Sequence, residues 1–365
     1  MLRKFSVTGY RCFKDKLTFD LTKVHDYEFN KHLVRNGLVS SGIIYGVNGS
    51  GKSSLGFALF DIVGVLTDYE LAATMKDKTS YINAETEQQV ASFEYEFCFG
   101  NQIVNYSYSK SAPDEIQKER LEVNGGIVLS RLGVKMTYAN KELKVPELPP
   151  HISALRYVYR NTPLEETDVV AEIIKFVEKM LWFRSLSSRG YCGYTSRQGT
   201  LTGELDTPEK VKGFEEYLNK MAGIKMKLES AVSTSSGERE LYVVYPNRRI
   251  NFFNASSTGT QELLLLYYWQ TVALRKVKFL FIDEFDAFYH YELAAKIVQD
   301  ISSRIGMQSY FTSHNTYLAN NRIMRPDCFF ILSKGKITSF ADATERGLRE
   351  GHNLEKLLRS GEFGE

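Results

Sequence analysis

The chain has 365 residues, a formal charge of +2 and 25% charged residues, enough for one large or two ordinary domains around a substantial core. Near-neutrality neither demands nor excludes nucleic acid, so any basic surface would have to be local. Cys12, Cys98, Cys192 and Cys328 form no C-x-x-C pair. This argues against a zinc site or a disulfide framework and places the chain in a reducing cytoplasm. No signal-peptide core and no run of about 18 apolar residues is found, so no membrane partner is expected.

Residues 1–20 alternate as a strand pair with Lys14-Asp15 at the turn. The apolar run Ile43-Ile44-Tyr45 then leads into GVNGSGKSS, residues 46–54, followed by a helix-like stretch from Ser54 to Leu66. Gly46, Gly51, Lys52 and Ser53 hold the fixed positions of G-x-x-x-x-G-K-[ST]. In this strand–loop–helix setting the glycines let the backbone wrap a phosphate chain, and N–H groups at the helix start supply an anion site. Asn48, Gly49, Ser50 and Ser54 complete the cradle. Lys52 adds a point charge for the β- and γ-phosphates, and the Ser53 hydroxyl is a natural Mg²⁺ ligand. The expected ligand is a nucleoside triphosphate. Asn140-Lys141-Glu142-Leu143 lacks the Asp of an N-K-x-D motif, so ATP is preferred over GTP.

Residues 66–90 are polar and partly helical, and Gln88 or Gln89 could touch Mg²⁺ or simply be solvated. Phe93, Tyr95, Phe97 and Phe99 alternate with polar residues, Gly100-Asn101 makes a tight turn, and Val104, Tyr106 and Tyr108 continue the period of two. A second hairpin is expected at Asn124-Gly125-Gly126. From 151 to about 235 a compact helical lobe is expected, with helices over Val169–Leu181 and Phe214–Met221. Within it, Arg184, Arg189, Tyr191, Tyr194 and Arg197 mix cations with aromatics, a pattern suited to nucleic-acid phosphate as well as to a flexible surface loop or a protein contact.

Ser257-Thr258-Gly259-Thr260-Gln261 precedes an apolar helix, Leu263–Leu274. Phe279-Leu280-Phe281-Ile282 reads as a parallel strand buried on both faces. It delivers Asp283 and Glu284 to the carboxyl edge, where ligands bind in α/β sheets. Asp283 would hold Mg²⁺, and Glu284 would orient and deprotonate the attacking water. A helix over Tyr291–Ile301 follows, then the run Tyr310–Asn315 with His314, and a closing hairpin around Gly335.

In this order the segments resemble ABC-type ATPases of the RecF/SMC-like branch. More narrowly they resemble stand-alone ATPases of prokaryotic abortive-infection systems, relatives of the ATPase half of OLD-family nucleases. The opening Phe5–Asp15 is similar to that family's N-F-R-S-F-K-D strand, with Gly9 and Cys12 as departures. Asp283–His290 resembles D-E-L-D-x-x-x-H, and Asn353-Leu354-Glu355-Lys356 with Gly361–Gly364 resembles the closing N-L-E-K and G-x-F-G. Ser257-Thr258-Gly259 stands where S-E-G is commoner.

The resemblance implies a P-loop ABC-ATPase head of the α/β class, with a mixed central sheet, an antiparallel sub-sheet and a helical insertion. Its expected divisions are residues 1–90, 91–150, 151–235 and 236–365. It implies Ser257 and Gly259 as signature residues reaching the nucleotide of an opposite protomer, Asp286 as the D-loop acid, and His314 as the γ-phosphate sensor beside Glu284. ATP and Mg²⁺ are the implied cofactors, and a homodimer or higher oligomer through shared ATP sites the implied assembly. OLD relatives carry a Toprim nuclease after this core. The roughly 50 residues beyond His314 are too few for one, so the implied role is an antiphage sensor acting on a separate effector such as a nuclease. A RecF-like DNA-repair ATPase is the alternative, with nucleic acid as partner.

Overall fold

The computed structural model describes residues 1–69, 71, 73–138, 141–142, 148–184, 191–193, 205–233, 237–274 and 276–364. The chain opens with β1 (Leu2–Thr8) and β2 (Leu17–Asp20), paired antiparallel. A two-stranded piece, β3 (Val34–Arg35) and β4 (Leu38–Val39), leads into β5 (Ser41–Tyr45) and helix α1 (Lys52–Leu66). Next come β6 (Ala91–Phe99), β7 (Gln102–Ala112), β8 (Glu115–Val123), β9 (Gly126–Leu132), β10 (Lys135–Tyr138) and β11 (Lys141–Glu142). The expected turns at Gly100-Asn101 and Asn124-Gly125 lie between β6 and β7 and between β8 and β9, where Asn124, Gly100 and Gly125 take the left-handed backbone that such turns require.

Helices α2 (Ala154–Asn161) and α3 (Val169–Val177) precede β12 (Met180–Arg184) and β13 (Tyr191–Gly193). Helix α4 (Pro208–Ala222) follows, then a three-stranded sheet of β14 (Leu228–Val232), β15 (Arg239–Tyr245) and β16 (Arg248–Asn251). The remainder is α5 (Phe252–Ala255), α6 (Thr258–Tyr268), β17 (Phe279–Asp283), α7 (Tyr291–Ser302), β18 (Gln308–Thr312), β19 (Phe329–Ser333), β20 (Lys336–Ser339) and α8 (Leu354–Arg359).

Two large sheets result. One runs β13-β12-β17-β18-β5-β19-β20, with β12, β17, β18, β5 and β19 mutually parallel. The other is antiparallel, in the order β11-β10-β9-β8-β7-β6-β1-β2. The opening strand pair therefore lies in the same sheet as the 91–142 strands, and residues 1–90 are shared between the two sheets. The helix expected over Val169–Leu181 ends at Val177, because Met180–Phe183 is apolar on both faces and enters the parallel sheet beside β17. The 151–235 stretch is thus not helical throughout; it gives a strand to the central sheet. The helix after the signature segment is α-helical to Tyr268 and continues as a π-helix over Trp269–Ala273. Among the described residues, no helix is long and apolar enough to cross a membrane.

Helix α1 lies between the sheets and is apolar on nearly every side, as expected of a fully enclosed helix. Toward the parallel sheet, Phe57 meets Trp182 and Phe60 meets Phe279. Toward the antiparallel sheet its one acid, Asp61, accepts hydrogen bonds from Tyr81 Oη (2.8 Å), Tyr108 Oη (2.9 Å) and Lys110 Nζ (3.0 and 3.1 Å). Asp61 and Lys110 are each 2% exposed. Removing one partner strands the other charge in the core, which costs about 3–5 kcal/mol. Lys110→Met is expected to lose stability of that order in urea unfolding, and Asp61→Asn combined with Lys110→Met to regain much of it.

Candidate functional site

The phosphate loop follows β5, the acid pair ends β17 and His314 follows β18. Because β18 lies between β17 and β5 and all three are parallel, their carboxyl ends share one edge of the sheet. That edge carries the candidate site.

At the loop, Gly49 and Gly51 adopt φ of 80° and 102°, a region that favours glycine. A Cβ on Gly46 would stand 2.5 Å from Ser50 Oγ and 2.6 Å from the Leu332 carbonyl oxygen, and one on Gly51 would stand 2.8 Å from Cys12 Sγ. The loop thus runs close against the hairpin of β19 and the turn between β1 and β2. Asn48 and Gly49 are exposed, and Ser50, Ser53 and Ser54 are half-buried. Lys52 is buried and donates to the carbonyl oxygens of Gly46 (2.7 Å) and Val47 (3.1 Å), which holds its ammonium inside the loop.

At the acid strand Asp283 is fully buried. Thr312 donates its hydroxyl to Asp283 Oδ1 at 2.7 Å and accepts the Glu284 N–H at 2.7 Å. Glu284 is left-handed, with φ of 51°, and its carboxylate is half-buried. Arg184, at the end of neighbouring β12, reaches both acids, with Nε 3.6 Å from Asp283 Oδ2 and Nη2 3.4 Å from each Glu284 oxygen.

Asp286 accepts from Ser313 Oγ at 2.7 Å, and burial raises its carboxyl above the usual range despite that bond. His314 is pushed below the usual imidazole value by partial burial and then by Lys52, with Glu284, Asp286 and Asp283 opposing. Lys52, Glu284, Asp286 and Asp283 thus all act on the His314 ring.

Ser257 caps α6, accepting from the Thr260 N–H at 3.3 Å. Ser257 and Thr258 are exposed, while Gly259 lies close to the chain after the acid strand, where a Cβ would be 2.8 Å from the Phe288 carbonyl oxygen. The segment thus begins α6 with Ser257 and Thr258 toward solvent and Thr260 buried. Gln88 and Gln89 are exposed just before β6, with Gln89 Nε2 donating to the Thr86 carbonyl.

Sequence reasoning missed Thr312 and Ser313, and it read Arg184 as part of a basic segment for nucleic-acid phosphate, a surface loop or a protein contact, whereas Arg184 ends β12 beside the acid pair. The available signal was an apolar run ending in a charge, the same pattern in Met180–Arg184 as in Phe279–Asp283. Of the other residues in that basic segment, Arg189, Tyr194 and Arg197 lie outside the described residues.

The donor set suits a hard divalent ion. The Ser53 hydroxyl and the Asp283 carboxylate offer oxygen donors, and among the described residues no three His, Cys, Asp or Glu side chains gather as a metal cage. Magnesium in such sites completes its shell with water and phosphate oxygens.

Residues 228–320 match the family model described as "AAA domain, putative AbiEii toxin, Type IV TA system". This segment holds the signature helix, the acid strand and His314. No curated protein is significantly similar to the chain. Among solved structures, the chain is similar to the SMC head domain from Thermotoga maritima, at 14% identity, 93% of this chain, 97% of the other and TM-score 0.45. It is also similar to the Smc head domain with an extended coiled coil bound to the C-terminal domain of ScpA, derived from Pyrococcus furiosus, at 14% identity, 99% and 98% coverage and TM-score 0.47.

Two outcomes are expected from this geometry. Gly46→Ala forces a methyl into an occupied space at about 1–3 kcal/mol, read as roughly ten- to hundredfold weaker binding in a fluorescent-nucleotide titration. The His314 ring should titrate by NMR with a midpoint below 6.5. Its folded value is the depressed one, so its contribution to stability is present above pH 6.5 and lost as pH falls through the folded midpoint.

Proposed function

We propose that this chain is an SMC/RecF-like ABC ATPase that binds ATP with Mg²⁺, hydrolyses it, and uses the bound nucleotide to pair two copies of itself. The observation that carries the reading is the meeting of the phosphate loop, the acid pair and His314 at one edge of a parallel sheet.

In this reading residues 46–54 wrap the phosphates, and Lys52 turns its ammonium from the Gly46 and Val47 carbonyls to the β- and γ-phosphate oxygens. Ser53 and Asp283 would hold magnesium, which would supply positive charge to offset that of the phosphates. Glu284 accepts a proton from water as its oxygen attacks the γ-phosphorus, and the bond from γ-phosphorus to the bridging oxygen breaks toward ADP. His314, held neutral near pH 7, hydrogen-bonds to the γ-phosphate, and Asp286 braces Ser313 beside it. Ser257 and Gly259 of a second copy close the site from the other side; the exposure of Ser257 and Thr258 at the start of α6 supports that role. Nucleotide that binds only the paired state stabilises it by mass action, and hydrolysis releases it.

The cellular role that fits best is a sensor or scaffold in antiphage abortive infection, in the cytoplasm, controlling a separately encoded toxic effector such as a nuclease. The match of residues 228–320 to a family model whose description names a Type IV toxin–antitoxin system supports the toxin–antitoxin setting, and the separate effector rests on the family resemblance.

Glu284→Gln should lower ATP turnover by roughly 10²–10⁴-fold while retaining nucleotide, and should shift the chain to a stable dimer in light scattering with ATP. Unchanged turnover sinks the assignment of the base. Co-purification of this variant with its neighbouring gene products tests the cellular role: a stoichiometric second protein supports the sensor, whereas a lone oligomer retaining DNA supports a RecF-like repair ATPase.

A further inference from the structure

Arg184 ends β12 in parallel register with β17, directly across from Asp283. Its Nε lies 3.6 Å from Asp283 Oδ2 and its Nη2 3.4 Å from both Glu284 oxygens. One planar guanidinium therefore spans the carboxylate that suits a divalent ion and the carboxylate that suits a base. Asp283 is fully buried, and a buried carboxylate is costly without a cation beside it. At a metal site that requirement holds through the whole cycle, including the interval between one nucleotide and the next.

We propose that Arg184 is a positioning residue, a built-in counter-ion of the acid pair, which holds Asp283 and Glu284 between turnovers and gives way to the divalent ion that arrives with nucleotide. Two cations cannot share Asp283 Oδ2 without repulsion, so the guanidinium competes with the metal. Its side chain is 28% exposed, which gives it a solvent-facing path away from the acids. The pair also keeps Glu284 engaged: a carboxylate whose two oxygens both face a guanidinium has fewer lone pairs for a water proton. Arg184 thus sets a threshold, so that metal and nucleotide must arrive before the base is released.

This inference rests on the nucleotide reading of the site, and its test separates the two. Mn²⁺ stands in for Mg²⁺ and is followed by electron paramagnetic resonance on the full chain with a non-hydrolysable ATP analogue. Measurements compare wild type, Arg184→Met, Arg184→Gln and Arg184→Lys. The Met and Gln variants should bind Mn²⁺ about fivefold more tightly than wild type, the equilibrium equivalent of a weak, partly solvated ion pair, and Lys should restore weaker binding. A purely structural role would leave folded variants with unchanged Mn²⁺ affinity, and that result overturns the proposal. Weaker Mn²⁺ binding in Met and Gln also overturns it, by making Arg184 a phosphate ligand. If Met alone fails to fold, Gln and Lys decide. Wild type that binds no Mn²⁺ with the analogue sinks the ATPase reading, and this inference with it.

Discussion

The edge that carries the candidate site depends on the hydroxyl of Thr312. It donates to Asp283 Oδ1 and accepts the Glu284 N–H, both at 2.7 Å. Along an extended strand successive side chains point to opposite faces, so an unbroken β17 would carry Glu284 away from Asp283. The left-handed turn at Glu284, with φ of 51°, breaks that alternation. Such a conformation costs a non-glycine residue on the order of 1–3 kcal/mol, and the hydrogen bond from its N–H to the buried threonine offsets part of it. Both carboxylates then lie within 3.6 Å of one arginine, which shows that they share a side of the strand end.

What keeps the phosphate loop equally fixed is the helix behind it. Helix α1 is clamped between two sheets, by aromatic contacts to Trp182 and Phe279 on one side and by the Asp61 cluster on the other. The sheets are also joined directly: Gln308 of β18 exchanges hydrogen bonds with the Leu2 backbone of β1, at 2.7 and 2.9 Å. Gly51 packs against Cys12 and Phe13, so the antiparallel sheet touches the loop itself. A displacement of either sheet therefore loads the loop, because packed interiors transmit strain rather than absorb it.

Features coded by local spacing were legible. The loop glycines, the apolar run before Asp283 and the alternating aromatics of β6 and β7 each need only neighbouring residues. Partner choice was not legible. β1 pairs with β6 through contacts such as Leu2 with Phe97, and nothing near residue 2 announces it. Met180–Phe183 is too short to be told from the end of an amphipathic helix by periodicity. The Asp61–Lys110 pair is an intermediate case. Asp61 stands out in an apolar helix, and Lys110 falls in phase with Val104, Tyr106 and Tyr108 on the buried face of β7; both anomalies were visible, but their partnership was not. Arg184 shows the same limit, since its role comes from the register of β12 against β17 and not from its basic neighbours in sequence.

In sheet order the edge presents Arg184 from β12, Asp283 and Glu284 from β17, Ser313 and His314 after β18, and the loop with Lys52 after β5. Charge therefore alternates across it: a cation, two acids, an imidazole held neutral near pH 7, and a second cation. Lys52 donates to two of the loop's own carbonyls, so the loop end of the site is shaped in part by its own lysine. On the proposed reading, a triphosphate alone would gain the lysine and the loop N–H groups but meet two carboxylates at its γ end. Only with a divalent ion does the acid end become attractive. On that reading, the register that supplies Arg184 to the acids would make nucleotide and metal binding a single event, in which neither gains the full site without the other.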